Sequence, residues 1–95
     1  MKVLENVKQF VENLVSKYSN ITIEDEIMVA NVKLEYALST KTHMASISIL
    51  SDLTYDFYAE GIWSEEVSLM KTKYFNSIED LFIVLTKDIT SFMEL

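Results

Sequence analysis

Hydrophobic and polar residues alternate along residues 44–75, the stretch around which the rest of the chain is organised. Ala45, Ile47 and Ile49 alternate with serines, and similar alternation continues over residues 53–60 and 66–70. Side chains of a β-strand point to opposite faces with a period of two, so each run has one apolar and one polar face. The pattern predicts three strands in a row, joined by turns at residues 51–52 and 61–64, in an antiparallel sheet covered on one side.

A further strand is predicted before these three. Over residues 28–38, Leu34, Tyr36 and Leu38 alternate with more polar neighbours. Ahead of it, Ile21 and Ile23 lead into an acidic run at residues 24–26. That run fits either a short strand or a solvated loop, and we take the loop as the expectation.

The two ends of the chain have a helical pattern. Apolar residues recur every three or four positions over residues 2–18, which predicts an amphipathic helix. A second helix is predicted after residues 76–77, where Asn76 with Glu79, or Ser77 with Asp80, has the spacing of a capping box.

Together these elements predict the order α-β-β-β-β-α in a single domain over residues 1–95. The expected fold is therefore α+β: a four-stranded antiparallel meander with the N- and C-terminal helices packed on its apolar face.

Composition and charge argue against several classes of function. The 95 residues carry a net charge of −7, with eight lysines, no arginine and no cysteine. The absence of cysteine excludes disulfides and thiolate metal sites, and the absence of arginine and of a basic patch argues against direct binding of DNA or RNA. The longest apolar run, residues 81–85, is too short to span a bilayer. We expect a soluble cytoplasmic protein without a cofactor or a metal.

Candidate catalytic residues are few. His43, the single histidine, lies in a predicted polar loop, and the one glycine, Gly61, cannot build a phosphate-binding loop. Gly61 lies in the second turn, where a positive φ is the expectation. Carboxylates on an open sheet face lack the enclosure that acid–base catalysis needs. The expectation is a binding protein and not an enzyme.

A candidate binding surface lies on the third predicted strand and the turn after it. Acidic residues there are accompanied by large aromatic residues, which are enriched at protein interfaces. Trp63 either folds over the sheet edge or is offered to a partner, and the acids either bind a partner or only solvate the face. The predicted partner-binding residues are Asp56, Tyr58, Glu60, Trp63, Glu65 and Glu66.

The order of these motifs resembles a known family. The strand-turn-strand of residues 45–49 and 55–60, the aromatic end at Tyr74 and Phe75, and the helix start over residues 76–81 are similar to those of small acidic immunity proteins of bacterial polymorphic toxin systems, most nearly the TriTu type. The resemblance implies an antitoxin that binds a cognate toxin domain and covers its active or substrate-binding surface. It implies a basic toxin, with nucleases among the candidates, and no catalytic residues in this chain.

Other functions remain open at this point. The acidic chain also fits a phage-type inhibitor that mimics DNA toward a host nucleic-acid enzyme. An exposed apolar helix stripe would instead fit a self-associating adaptor or structural domain. For the antitoxin we expect a monomer or a weak dimer, with no membrane contact.

Overall fold

The computed structural model describes residues 3–63 and 67–95, and within them it shows two helices and one sheet. The elements are α1 (Val3–Val15), β1 (Thr22–Val29), β2 (Lys33–Ser39), β3 (His43–Leu50), β4 (Thr54–Gly61), β5 (Val67–Tyr74) and α2 (Ile78–Met93). The α+β class and the helices at both ends are confirmed. The predicted strand number is wrong, because the described residues form five antiparallel strands in the order β1-β2-β3-β4-β5.

The additional strand is β1, which includes the acidic run expected to be a loop. A register shift between Ile23 and Asp25 leaves Glu24 as a bulge, so the alternation of apolar and polar residues changes phase inside the strand. The predicted strand over residues 28–38 is therefore also wrong. It combines the end of β1, a turn, and β2, whose register pairs Val29 with Lys33.

Both helices agree with their predicted positions, with differences at the ends. α1 ends at Val15 instead of residue 18, and the chain turns there as the Tyr18 N–H donates to the Val15 carbonyl at 2.9 Å. Its predicted start at residue 2 lies outside the described residues. At α2, the Ser77 side chain accepts a hydrogen bond from the Asp80 N–H at 3.2 Å, which confirms Ser77 as the N-cap. Neither described helix combines the length and the apolarity needed to cross a membrane.

The helices pack side by side on one face of the sheet, which we call the inner face. The Phe10 and Phe82 rings stack with centroids 4.0 Å apart and join α1 to α2. Apolar side chains of both helices and of β2, β3 and β4 form one buried cluster, because removing apolar surface from water is the main driving force of folding. Its fully buried members include Leu4, Leu34, Tyr36, Leu38, Ile47, Ile49, Tyr55, Phe57, Leu81, Leu85, Ile89 and Phe92.

The opposite side, the outer face, is covered by no described element. Strand pairing brings every second residue of the five strands to it, in rows that run across the sheet. Its described members are Thr22, Asp25, Ile27 and Val29 of β1, Lys33, Glu35, Ala37 and Ser39 of β2, Met44, Ser46, Ser48 and Leu50 of β3, Thr54, Asp56, Tyr58 and Glu60 of β4, and Met70, Thr72 and Tyr74 of β5.

The tight turns use residues other than glycine. Ala30 between β1 and β2 has φ 50°, and Leu53 between β3 and β4 has φ 69°. The expected positive φ at Gly61 is wrong: Gly61 is the last residue of β4 and pairs with His43. His43 likewise begins β3 instead of lying in a loop. A paired strand residue keeps an extended backbone, so Gly61 is not left-handed and His43 does not lie in a loop.

Candidate functional site

Three of the predicted binding residues lie together on the outer face. Asp56, Tyr58 and Glu60 occupy alternate positions of β4, and β4 lies between β3 and β5. The Asp56 side chain is exposed, whereas Tyr58 and Glu60 are half-buried. Alternation along the strand therefore predicted their common face correctly.

Hydrogen bonds in the plane of the outer face position these side chains. The Thr72 hydroxyl of β5 donates to Asp56 Oδ1 at 2.6 Å, and the Tyr58 hydroxyl donates to Glu60 Oε2 at 3.1 Å. The bond to Glu60 raises the pKa of Tyr58, because it favours the protonated phenol. Each carboxylate thus accepts a hydrogen bond from a neutral hydroxyl of the same face.

The other predicted residues lie around the turn after β4. Trp63 follows the end of that strand, and its side chain is 84% exposed. Of the two interpretations of this residue, exposure is the one that the structure shows. Glu65 and Glu66 lie outside the described residues.

The structure adds acidic residues that the candidate set did not contain. Asp25 of β1 and Glu35 of β2 lie on the outer face on the other side of β3. The alternation in β2 placed Glu35 on a polar face, but it gave no strand register to relate it to Asp56. Asp25 lies just past the bulge, where the alternation changes phase. No sequence signal shows on which face of the sheet its side chain lies.

The outer face combines negative charge with exposed apolar side chains. Among its described members that pair in register are four carboxylates, those of Asp25, Glu35, Asp56 and Glu60, and one lysine, and the bulged Glu24 accepts a hydrogen bond from the Ser39 hydroxyl of the same face. That lysine, Lys33, forms an ion pair with Glu35 at 3.4 Å. The largest exposed apolar side chains of the face are Ile27 at 45%, Val29 at 53%, Met44 at 46%, Met70 at 75% and Tyr74 at 65%.

Two open depressions lie on the outer face, and both include Ser46 of β3. One has a volume of about 240 Å³ and is lined on the β4–β5 side by residues that include Asp56, Tyr58 and Met70. The other, of about 110 Å³, is lined by Asp25, Ile27, Glu35 and neighbours on the β1–β2 side. The small serine therefore lies between two hollows with larger side chains at their far sides.

The inner face also holds charged groups, but they contact other groups of the same chain. Asp88 of α2 is 8% exposed; its Oδ2 accepts a hydrogen bond from the Tyr55 hydroxyl at 2.7 Å, and its Oδ1 lies 3.0 Å from Lys71 Nζ. Burial and the bond to Asp88 raise the pKa of Tyr55. These three residues link α2 to β4 and β5. The contacts with Tyr55 and Lys71 explain why the Asp88 carboxylate is buried, and no bound ligand is needed to explain it.

A second charged group lies between α1 and the first strands. Lys8 Nζ is 3.1 Å from Glu12 and 3.4 Å from Glu26. Hydrogen bonds to the two glutamates raise the pKa of Lys8. Glu26 lies on the inner side of β1, and Lys8 supplies the charge that allows a glutamate there. An open hollow of about 420 Å³ lies beside this group, lined by Glu5, Lys8, Gln9, Glu12 and Met28.

Neither charged group of the inner face resembles a reaction centre. Across the described ranges, no three histidine or acidic side chains come together as a metal site. His43 Nδ1 lies 2.7 Å from the Thr42 hydroxyl, its neighbour in the chain. What the described residues offer is a broad acidic surface with apolar side chains, suited to contact with a protein of opposite charge. Comparison with protein-family models, with curated proteins and with solved structures finds no match for the chain.

Proposed function

We propose that this protein is an immunity protein of the antitoxin kind, which neutralises a basic toxin domain by binding it in a one-to-one complex. The toxin domain is held at the outer face, and its active or substrate-binding surface is covered by the bound protein. The complex forms in the bacterial cytoplasm. The observation that carries this proposal is the uncovered acidic outer face of a chain with a net charge of −7.

The charge distribution supports binding by electrostatic attraction. The four carboxylates of the outer face have one lysine among them, and that lysine is already paired with Glu35. Complementary charge speeds the encounter of two proteins and disfavours partners of like charge. A basic toxin domain would therefore associate quickly, and the rate would fall as salt is added.

The exposed apolar side chains would supply the apolar contacts of the interface. Trp63, Met70 and Ile27 are each at least 45% exposed, so covering them would bury apolar surface. Tryptophan is also among the residues that most often contribute strongly to binding energy. Charge would then set the association rate, and these side chains would slow dissociation.

The first test is capture followed by reconstitution. The full chain is used as bait in a lysate of its native cell, with washes at low and high salt, and each captured basic protein is purified. The expected result is a one-to-one complex in which the toxic activity of the captured protein is lost. A captured protein that stays fully active at a molar excess of this chain would contradict the proposal.

The second test changes charge on and off the outer face. Replacing Asp56 and Glu60 by lysine changes the net charge by +4, and so does replacing Glu79 and Glu94, which are exposed on α2 and at its end. We expect the first pair to slow association about tenfold or more and the second pair to slow it much less. Circular dichroism checks that both variants are folded. Equal association rates for the two pairs would show that only net charge matters.

A further inference from the structure

We infer that the outer face receives a lysine- or arginine-rich amphipathic α-helix of the partner, laid along β3 over Ser46 and Ser48. This inference relies on the proposed function for the existence of a basic partner, and it adds which structural element of the partner docks and where. It is argued from the shape, the strand edges and the charge of the sheet.

The shape of the outer face fits a rod about as wide as a helix. The outward side chains in the middle of β3 are Ser46 and Ser48, and the two hollows lie on either side of Ser46. Ala37 of β2, the partner of Ser46, is also small, so larger side chains at the far sides of the hollows belong to β1 and β4, which are about 14 Å apart from three inter-strand spacings. An α-helix with its side chains is about 10–12 Å across, so it fits between the larger side chains of β1 and β4.

The edges of the sheet make the alternative, addition of a strand, unfavourable. β1 has a bulge and the run of acids from Glu24 to Glu26, and a bulge disturbs the ladder that an added strand would need. On β5, Lys71 and Lys73 lie on the inward side of the edge strand, opposite Phe57 and Tyr55. Inward charges at an edge are a known protection against strand pairing. The uncovered face is therefore the more accessible part of the sheet.

Charge and apolar contact specify the kind of helix. Asp25 and Glu35 lie on one side of β3 and Asp56 and Glu60 on the other, so basic residues along both sides of a helix would meet acids. The exposed side chain of Met44, on β3 itself, would contact an apolar stripe between those basic residues. A second copy of this chain is a poor occupant, because it too carries a net charge of −7.

The direct test uses a synthetic helical peptide and nuclear magnetic resonance of the isotope-labelled full chain. The peptide has about 18 residues, or five turns, with leucine at helical spacing and lysine elsewhere. Its control has the same composition, with leucine and lysine rearranged to alternate. The expected result is saturable shifts of the Ser46, Ser48, Asp56 and Tyr58 signals, and about tenfold weaker binding of the control peptide.

Two matched variants locate the peptide. Asp56→Lys and Glu94→Lys change the net charge equally, and we expect about tenfold weaker peptide binding for the first and little change for the second. Equal binding of the two peptides, shifts centred on α1 and α2, or no saturable shifts would overturn the inference. Shifts of the same outer-face signals with protein concentration alone would assign the face to a second copy instead.

The outcome for the captured partner separates this inference from the proposed function. If the partner is inhibited but protects α1 and α2 from hydrogen exchange in the complex, the inference fails and the proposed function stands. If no captured protein is inhibited while the peptide binds along β3, the proposed function fails and the helix-binding face stands.

Discussion

Ile47 and Ser48 are neighbours in β3, yet their side chains lie on opposite faces of the sheet. Ile47 is completely buried under the helices, whereas Ser48 lies on the uncovered outer face. The inner face satisfies its polar groups within the chain, as the Tyr55 hydroxyl does with Asp88. In the described part of the chain, no buried side-chain nitrogen or oxygen lacks a hydrogen-bond partner.

The outer face has a different kind of order. Its hydrogen bonds, such as Thr72 to Asp56, run between neighbouring side chains of the face and leave the charge in solvent. The difference indicates that packing at the inner face determines the stability of the protein, whereas the outer face remains exposed to solvent. Four predictions test this division, from the largest expected effect to the smallest.

The first prediction compares the two neighbours in β3. Ile47→Ala should lower the free energy of unfolding by about 3–4 kcal/mol, because it leaves a cavity beneath the helices. Ser48→Ala should change it by less than about 0.5 kcal/mol, because the site is at the surface. Urea denaturation of both variants measures the difference. Similar losses at the two sites would mean that the outer face is also part of the folded core.

The second prediction concerns alkaline pH. Burial raises the pKa of Tyr36 and of Tyr55 above the ordinary value of 10.0. The unfolded chain therefore loses these protons above about pH 10 while the folded protein keeps them, so stability decreases as the pH rises. Each tyrosine should contribute a slope of about 1.4 kcal/mol per pH unit in that range.

The control for this pH effect removes one hydroxyl at a time. Tyr55→Phe should reduce the slope of the free energy of unfolding between about pH 10 and pH 11, measured by urea denaturation. Replacing Tyr58, whose pKa is raised mainly by its hydrogen bond to Glu60 at the surface, should reduce the slope by less. The same slope in Tyr55→Phe and in the unmodified chain would contradict the assignment.

The third prediction removes the buried carboxylate. Asp88→Ala should lower the free energy of unfolding by about 2 kcal/mol, because the Tyr55 hydroxyl loses its acceptor and Lys71 loses its partner. Asp88→Asn keeps an acceptor for Tyr55 and should cost about half as much. Thermal and urea denaturation measure both. If Asp88→Asn lowered the free energy of unfolding as much as Asp88→Ala, the whole effect would be due to the lost charge.

The fourth prediction concerns the turn that attaches β1, which carries Asp25 and Ile27 at one side of the outer face. Ala30→Gly should stabilise the protein by about 0.5–1 kcal/mol, since glycine adopts a positive φ without the steric cost of a Cβ. At Leu53 the side chain packs against the core, so Leu53→Gly should destabilise despite the same sign of φ. Destabilisation by Ala30→Gly would show that the exposed turn has no strain to relieve.

The sequence predicted the elements in which the period of hydrophobic residues is unbroken. The alternation in β2, β3 and β4 matches buried positions, most of the residues in the stripes of α1 and α2 are buried or half-buried, and Ser77, one of the two predicted caps, caps α2. These features depend on local spacing, which a single sequence displays directly.

The features that were missed depend on contacts between distant residues. β1 was hidden by its bulge and by Glu26, a glutamate on the inner side that is acceptable because Lys8 is 3.4 Å away. The positive φ falls on Ala30, whereas the asparagine that would normally mark it is the next residue, Asn31. The same reason explains why only part of the candidate site was predicted. Asp56 and Glu60 share one strand, whereas Asp25 and Glu35 lie near them only because of the order of the strands in the sheet.

The order of the strands has a consequence for the dynamics of the molecule. Every strand pairs with its neighbour in the chain, so the sheet can grow hairpin by hairpin, whereas the Tyr18–Thr90 contact that joins the two ends closes a separation of 72 residues. Closing so long a loop is entropically costly and slow, so the helices should dock last and separate first. In native-state hydrogen exchange, the amides of α1 and α2 would then open as one unit, at a lower free energy than those of β2, β3 and β4. Such an opening would briefly leave the sheet uncovered on both sides.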